Sequence, residues 1–262
     1  VSNETSRSWW RYQWQLFCLA LSFFSRLPIP KSTPYSTERM NRSGRYFAVV
    51  GFVIAVLCAL VFVAVSTVLP VSVAVVITMV FSLLLTGAFH EDGLADMADG
   101  IGGGMTVEKR LLIMKDSRLG TYGVSTLVMV LLLKFVTLVE LANHNQFIAA
   151  IILAYVFSRA VAASLISTMP YVSDPEGSKS KPLANQQTQK ELIFLALCAL
   201  LPAVYWGMQI TITLVIWALL FRIGFKRWLM ARLGGFTGDC LGAAQQIVEL
   251  SVYLILLAYT VP

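Results

Sequence analysis

The stretch YFAVVGFVIAVLCALVFVAVSTVL, Tyr46–Leu69, contains no charged residue, and it is long enough to cross a bilayer as one helix, which takes about 17–25 apolar residues. Runs of the same kind follow at Val71–Phe89, Tyr122–Ala142 and Gln146–Met169. Leu192–Met208 and Ile210–Phe225, one residue apart, read as a tight helical hairpin, and Ile247–Val261 is a shorter last candidate. The whole chain agrees with these runs. It is 57% hydrophobic and 13% charged, with a mean hydropathy of +0.74, whereas a soluble domain is typically about 25% charged. The expected fold is all-α: a polytopic integral membrane helical bundle of about seven spans, forming a single catalytic domain over residues 1–262.

Residues 1–45 form an N-terminal segment of a different character. Trp9, Trp10, Tyr12 and Trp14 stand at one end of a short apolar stretch, with Arg26, Pro28 and Pro30 at the other. Aromatic rings prefer the headgroup zone, so an interfacial or re-entrant helix is expected there. No A-x-A-like cleavage site follows the stretch, which argues against a signal peptide.

The basic residues fix an orientation. With seven spans, the segments before Tyr46, between Phe89 and Tyr122, between Met169 and Leu192, and from Arg222 to Ile247 share one side and hold 18 of the 20 Lys and Arg. The turns near Pro70, Asn143 and Gln209 hold none, so the long loops are expected in the cytoplasm. The net charge of +6 is thus topological, and nucleic acid is not an expected partner. Cys18, Cys58, Cys198 and Cys240 form no C-x-x-C pair and read as small hydrophobes.

The loop at 90–121 carries the chemistry. In Glu91-Asp92-Gly93-Leu94-Ala95-Asp96-Met97-Ala98-Asp99-Gly100, the residues Asp92, Asp96 and Asp99 fall within roughly 40° of one another around a helix of about 3.6 residues per turn. Three like charges on one face call for a cation. Oxygen ligands without a His or Cys pair point to Mg²⁺, one ion or two, with Mn²⁺ as a substitute. Gly100, Gly102, Gly103 and Gly104 then end the helix and leave backbone N–H groups open to a ligand. Thr106 reads as the cap of a second short helix that delivers Lys115, Asp116 and Arg118 beside the acids. Such a pocket suits a diphosphate, its oxygens bridged by metal and neutralised by Lys and Arg.

A second cluster, Gly234-Gly235-Phe236-Thr237-Gly238-Asp239-Cys240-Leu241-Gly242, makes a tight turn into the last helix. Asp239 is placed to complete the metal site or to accept a proton, and Gln246 and Glu249 continue its face. Arg159 lies inside an apolar run. A charge there costs about 2.5–3.5 kcal/mol on insertion scales, which favours a phosphate or Asp partner. Packing or snorkelling accounts for Lys134 and Glu140, and solvation for Glu108, Asp174, Glu176 and Glu191. No P-loop, nucleophile elbow or H-E-x-x-H is present.

Three of these stretches, Gly87–Gly100, Ile113–Gly123 and Gly235–Asp239, together with Ser25-Arg26-Leu27-Pro28-Ile29-Pro30, closely resemble the bacterial cobalamin synthase family, the adenosylcobinamide-GDP ribazoletransferases. The match over Ser173–Lys181 is loose, with Asp174 where the family suggests a basic residue. The resemblance implies an enzyme of the bacterial inner membrane, its active site facing the cytoplasm. The substrates it implies are adenosylcobinamide-GDP and α-ribazole or its 5′-phosphate, with GMP released. It further implies metal binding by Asp92, Asp96 and Asp99, and substrate contacts from Lys115, Arg118, Arg159, Gly102 and Gly103. Asp116 and Asp239 are then the catalytic candidates. The lipid bilayer is an expected partner, and a homo-oligomer is compatible with the reading. Rival classes are an intramembrane prenyltransferase, a CDP-alcohol-type phosphotransferase and a cation transporter.

Overall fold

The apolar runs are helices in a computed structural model that describes residues 2–173 and 187–260 (side chains from Ser8). In chain order they are α1 (Ser2–Phe24), α2 (Thr37–Ser43), α3 (Phe47–Ser66), α4 (Val71–Thr86), α5 (Phe89–Gly103), α6 (Val107–Met114), α7 (Thr121–Asn143), α8 (Phe147–Leu165), α9 (Gln189–Tyr205), α10 (Met208–Leu233) and α11 (Gly238–Thr260). Most of the loop expected at Ser173–Gln189 lies outside the described residues.

Among the described residues, five segments are long and apolar enough to span a membrane: Thr37–Ser66, which joins α2 to α3, then α7, Phe147–Thr168, α10 and α11. The number is six if α4 and α5 count as one span, but that pair is bent by 86°. All seven expected apolar runs are helices, and the two outside this set, α4 and α9, are the shorter ones. α9 has only 17 residues and contains Pro202, and α4 has 16. The run Val71–Phe89 does not continue as one helix because Gly87 and Ala88 both adopt positive φ, 67° and 55°. Glycine takes this conformation freely, and the two residues together turn the chain. The bend is held from outside: Arg26 N–H donates to Leu85 O at 2.8 Å, and its guanidinium packs on Gly87.

α8 is the central helix, buried along most of its length between α3, α9 and α11. α7 and α10 instead present long apolar faces outward, among them Val128, Met129, Leu132, Ile216, Leu219 and Leu220. That pattern suits lipid contact. α1 is not among the spans, and it exposes Trp9, Trp10 and Trp14 while burying Leu16, Leu19 and Ala20 against the bundle. This amphipathic split matches an interfacial helix.

After the bend, α5 leaves the direction of α4 and packs against the starts of α11 and α7. Its first turns touch the start of α11, where Gly242 meets His90, and its last turns touch the start of α7, where Gly102 meets Tyr122. The acidic helix thus caps one end of the bundle.

Candidate functional site

Gly93 determines how α5 meets α11. A Cβ added there would stand 2.9 Å from Asp239 Cα, so only glycine lets the two backbones approach this closely. The approach brings Asp92 and Asp96 on α5 into the field of Asp239 in the first turn of α11. Thr237 Oγ1 donates to Asp239 Oδ2 at 3.2 Å, which orients that carboxylate. Asp92 is exposed and Asp96 half-buried. Burial, and after it the charges of Asp92, Asp239 and Asp99, push the Asp96 carboxyl up to about 7. The sequence face Asp92–Asp96 is thus extended by a carboxylate from far along the chain.

Asp99, the third member of the expected trio, has different partners. It is buried, and its Oδ2 accepts from Gly120 N–H at 2.7 Å while its Oδ1 accepts from Gly123 N–H at 2.8 Å. Both donors stand at the start of α7, where backbone amides lack partners within the helix and an anion is favoured. Asp99 therefore ties the end of α5 to the start of α7. Gly102 and Gly103 are the last residues of α5, with Gly104 at its C-cap, so the glycines end the helix as expected. Gly102 is where the Tyr122 ring packs, with 2.6 Å to an added Cβ.

Thr106 caps α6 as expected, accepting from Lys109 N–H at 3.3 Å. Beyond α6, Arg118 grips Asp116 with two nitrogens, Nε at 3.0 Å and Nη2 at 2.6 Å. Those hydrogen bonds hold the exposed Asp116 carboxyl at about 2, which makes it a weak base. Arg159 is buried. Its Nη1 donates to Tyr155 O at 3.0 Å and its guanidinium lies 5.0 Å from the Tyr155 ring centroid. It lines a cavity beside the start of α5, and its Nε has no hydrogen-bond partner among the described residues.

Sequence reasoning missed a buried polar chain behind the acidic helix. Glu91 Oε1 accepts from Gln246 Nε2 at 2.9 Å, Gln246 Nε2 also reaches Gln245 Oε1 at 2.8 Å, and Gln245 Nε2 donates to Glu249 Oε2 at 2.6 Å. Glu249 in turn pairs with Lys134 and accepts from Tyr253. Lys134 is therefore neither snorkelling nor solvated, and Glu249 does not continue the acidic face. The available signal was the polar spacing Gln245, Gln246, Glu249 within an otherwise apolar helix.

The donor set is oxygen-only and anionic, and Asp96 is a carboxyl whose neighbours resist its ionisation unless a cation is present. That chemistry fits a hard divalent ion. Among the described residues, however, no three His, Cys, Asp or Glu side chains form a ready-made coordination shell. Mg²⁺ is commonly held by one or two carboxylates plus substrate phosphates and water, an arrangement this set allows.

Residues 16–257 match the family model described as cobalamin-5-phosphate synthase. The adenosylcobinamide-GDP ribazoletransferase of Vibrio vulnificus strain YJ016 is 63% identical over 249 residues, which covers 95% of this chain and 98% of that protein. Its counterpart in Vibrio parahaemolyticus is 60% identical over 98% of this chain and 97% of its own, and that of Shewanella piezotolerans is 48% identical over 95% and 96%. No solved structure matches.

Proposed function

The chain belongs to the cobalamin-5-phosphate synthase family, and from that premise we propose that it transfers the phosphoryl-cobinamide unit of adenosylcobinamide-GDP to α-ribazole or its 5′-phosphate at a Mg²⁺-dependent site. The relatives' printed name supplies the donor and acceptor. One observation supports the chemistry most: Gly93 lets Asp239 close onto the face that bears Asp92 and Asp96. A ribose hydroxyl free in both acceptors, and therefore not the 5′ one, attacks the cobinamide-side phosphorus and gives its proton to a carboxylate, the bond from that phosphorus to the bridging oxygen breaks, and GMP leaves with the electron pair.

Asp92 and Asp96 would hold Mg²⁺, which when bound neutralises the diphosphate. Asp99, also assigned to the metal on sequence grounds, serves here by fixing α5 against α7. Asp239, oriented by Thr237, is the better-placed proton acceptor. Asp116 holds Arg118 through their paired hydrogen bonds. Lys115 and Arg118 would neutralise the phosphates, and Gly102 and Gly103 act through the packing of α5. With 18 of the 20 basic residues on the long-loop side, this face looks into the cytoplasm of the inner membrane. A prenyltransferase would be expected to show a second carboxylate array as strong as the first, whereas the second cluster offers only Asp239.

The test is direct. Purified protein in detergent, given the activated cobinamide, α-ribazole and Mg²⁺, should release GMP and form the joined product, and omission of any one component should stop both. Product formed equally well in excess chelator would refute the metal assignment, and no GMP under any divalent ion would refute the reaction.

A further inference from the structure

Between α8, α9 and α10 runs a groove of about 380 Å³, where a single water needs only roughly 10–15 Å³. Its floor is buried and apolar, with Phe157 and Val161 on α8 and Leu195 on α9. The space exists because Ala160, Ala199 and Ala218 stand on the three helices where larger side chains would close it. Ile193 and Leu219, 59% and 52% exposed, form the rim. Leu219 belongs to the outward apolar face of α10, so the groove opens on the side that suits lipid contact and not toward the acidic helix.

One end of this groove is cationic. Val215, Ala218, Leu219 and Arg222 line it along a single face of α10, over about 10 Å at 1.5 Å per residue, and Lys226 continues that face one turn on. Arg222 closes the end where Ser164 of α8 and Leu192 of α9 also form the lining. Its Nη2 donates to Ser164 O at 3.1 Å, while its buried Nε–H has no acceptor among the described residues. A buried charged donor left unmet is costly, so it marks the place of a ligand oxygen. Nothing nearby in sequence offsets the charge. α10 contains no acidic residue, and Glu191, beside Leu192, is already held by Arg45 at 2.6 Å and Arg42 at 3.7 Å. Further along, Arg110 of α6 donates to Arg232 O at 2.8 Å, so this is the end of the bundle that carries the long loop.

We propose that this groove binds one anionic glycerophospholipid, its phosphate accepting from Arg222 Nε–H at the basic end and one acyl chain lying between the three helices toward Val215 and Phe157. Each part of the site selects for that occupant. A soluble phosphate would meet Arg222 and leave the apolar length empty, and an uncharged lipid would fill the length and leave the donor unmet. A zwitterionic headgroup would bring an ammonium to a place that already carries Arg222 and Lys226. Basic pockets between membrane helices at their cytoplasmic ends bind anionic headgroups, and the orientation proposed above puts Arg222 at that end. The bound lipid fills the gap between α8 and the α9–α10 hairpin, and so fastens the hairpin to the central helix.

The test uses the purified full chain, stripped of lipid in detergent, with bound lipid counted by native mass spectrometry and stability read as melting temperature. Dioleoylphosphatidylglycerol should occupy one saturable site, about tenfold more tightly than dioleoylphosphatidylethanolamine, and raise the melting temperature. Arg222→Gln keeps the apolar groove but removes the charge and the Nε–H donor, so it should bind the two lipids alike and lose that rise. Ala218→Phe sets a ring in the groove and should weaken both lipids about tenfold. Equal affinity of the unaltered protein for the two lipids would overturn the proposal, as would undiminished binding of the anionic lipid to Arg222→Gln. Inorganic phosphate that raises the melting temperature as much as the anionic lipid would reassign Arg222 to a soluble anion and overturn it too. Should Ala218→Phe not fold, the ratio of the two lipids on the unaltered protein and on Arg222→Gln decides alone. None of these readouts requires turnover, so a failure of the ribazole-transfer reading leaves the result standing.

Discussion

Replacing Asp99 by Asn separates the two jobs that an acidic helix can do. The carboxylate accepts two backbone N–H bonds at the start of α7, at 2.7 and 2.8 Å, from a buried position. Asn keeps one acceptor oxygen but turns an NH₂ toward the other amide. One charge-assisted bond is lost, about 1.5–3 kcal/mol, together with up to about 1 kcal/mol of attraction to the helix start. The variant should therefore be less stable by roughly 2–4 kcal/mol, or about 5–15 °C in melting temperature for a chain of this order of size. Its Mg²⁺ affinity should stay within about threefold. Asp96→Asn should behave in the opposite way, because it removes a carboxyl whose ionisation the fold resists: an unchanged or raised melting temperature and Mg²⁺ binding weakened at least tenfold. Tryptophan fluorescence during heating in detergent reads the first quantity, and calorimetric titration of Mg²⁺ without substrate the second. If Asp99→Asn melts like the parent and loses Mg²⁺ as severely as Asp96→Asn, the anchoring account is wrong and all three carboxylates form one ligand set.

The Asp96 carboxyl, raised to about 7, gives a pH dependence with a definite sign. Protons and Mg²⁺ compete for it, so Mg²⁺ affinity should rise up to about tenfold per unit as pH climbs toward 7 and level off above; a flat profile between pH 6 and 8 would contradict the assignment. The same shift makes the metal-free fold less stable as pH rises from the ordinary Asp range through about 7, because over that window the folded state holds a proton that the unfolded chain has lost; melting temperature against pH reads this, and Asp96→Asn should flatten the slope. For orientation, a cysteine at exposed Asn143 should react with an impermeant thiol reagent from outside the cell, and one at Met105, 88% exposed beside the acidic helix, should not; the reverse labelling would move the site out of the cytoplasm. Breaking the buried Lys134–Glu249 pair with Lys134→Met should cost about 3–5 kcal/mol by stranding Glu249, and adding Glu249→Gln should return part of it; equal melting of the single and double variants would show that the pair is not coupled.

What was legible in the sequence and what was not divides along the range of the forces involved. The apolar runs, the interfacial character of α1 and the cap at Thr106 depend on residues close together in the chain, and each is visible as a run, a spacing or a helix-start signal. The helical face shared by Asp92, Asp96 and Asp99 was visible for the same reason. That face was read as a single ligand set because helical spacing gives the angle of a side chain and is silent about which neighbour stands opposite. In the fold, Asp92 and Asp96 stand near Asp239, more than a hundred residues on, while Asp99, one turn further along, has reached the amides of α7. The α4–α5 bend was hidden in an unbroken apolar run because two residues of positive φ, held by Arg26 from a distant segment, decide it. Without that bend α5 would continue along the bundle and bury its acids among apolar neighbours. With it, the acids lie at the starts of α11 and α7, where the carboxylate of the one and the free amides of the other are both within reach of one short helix.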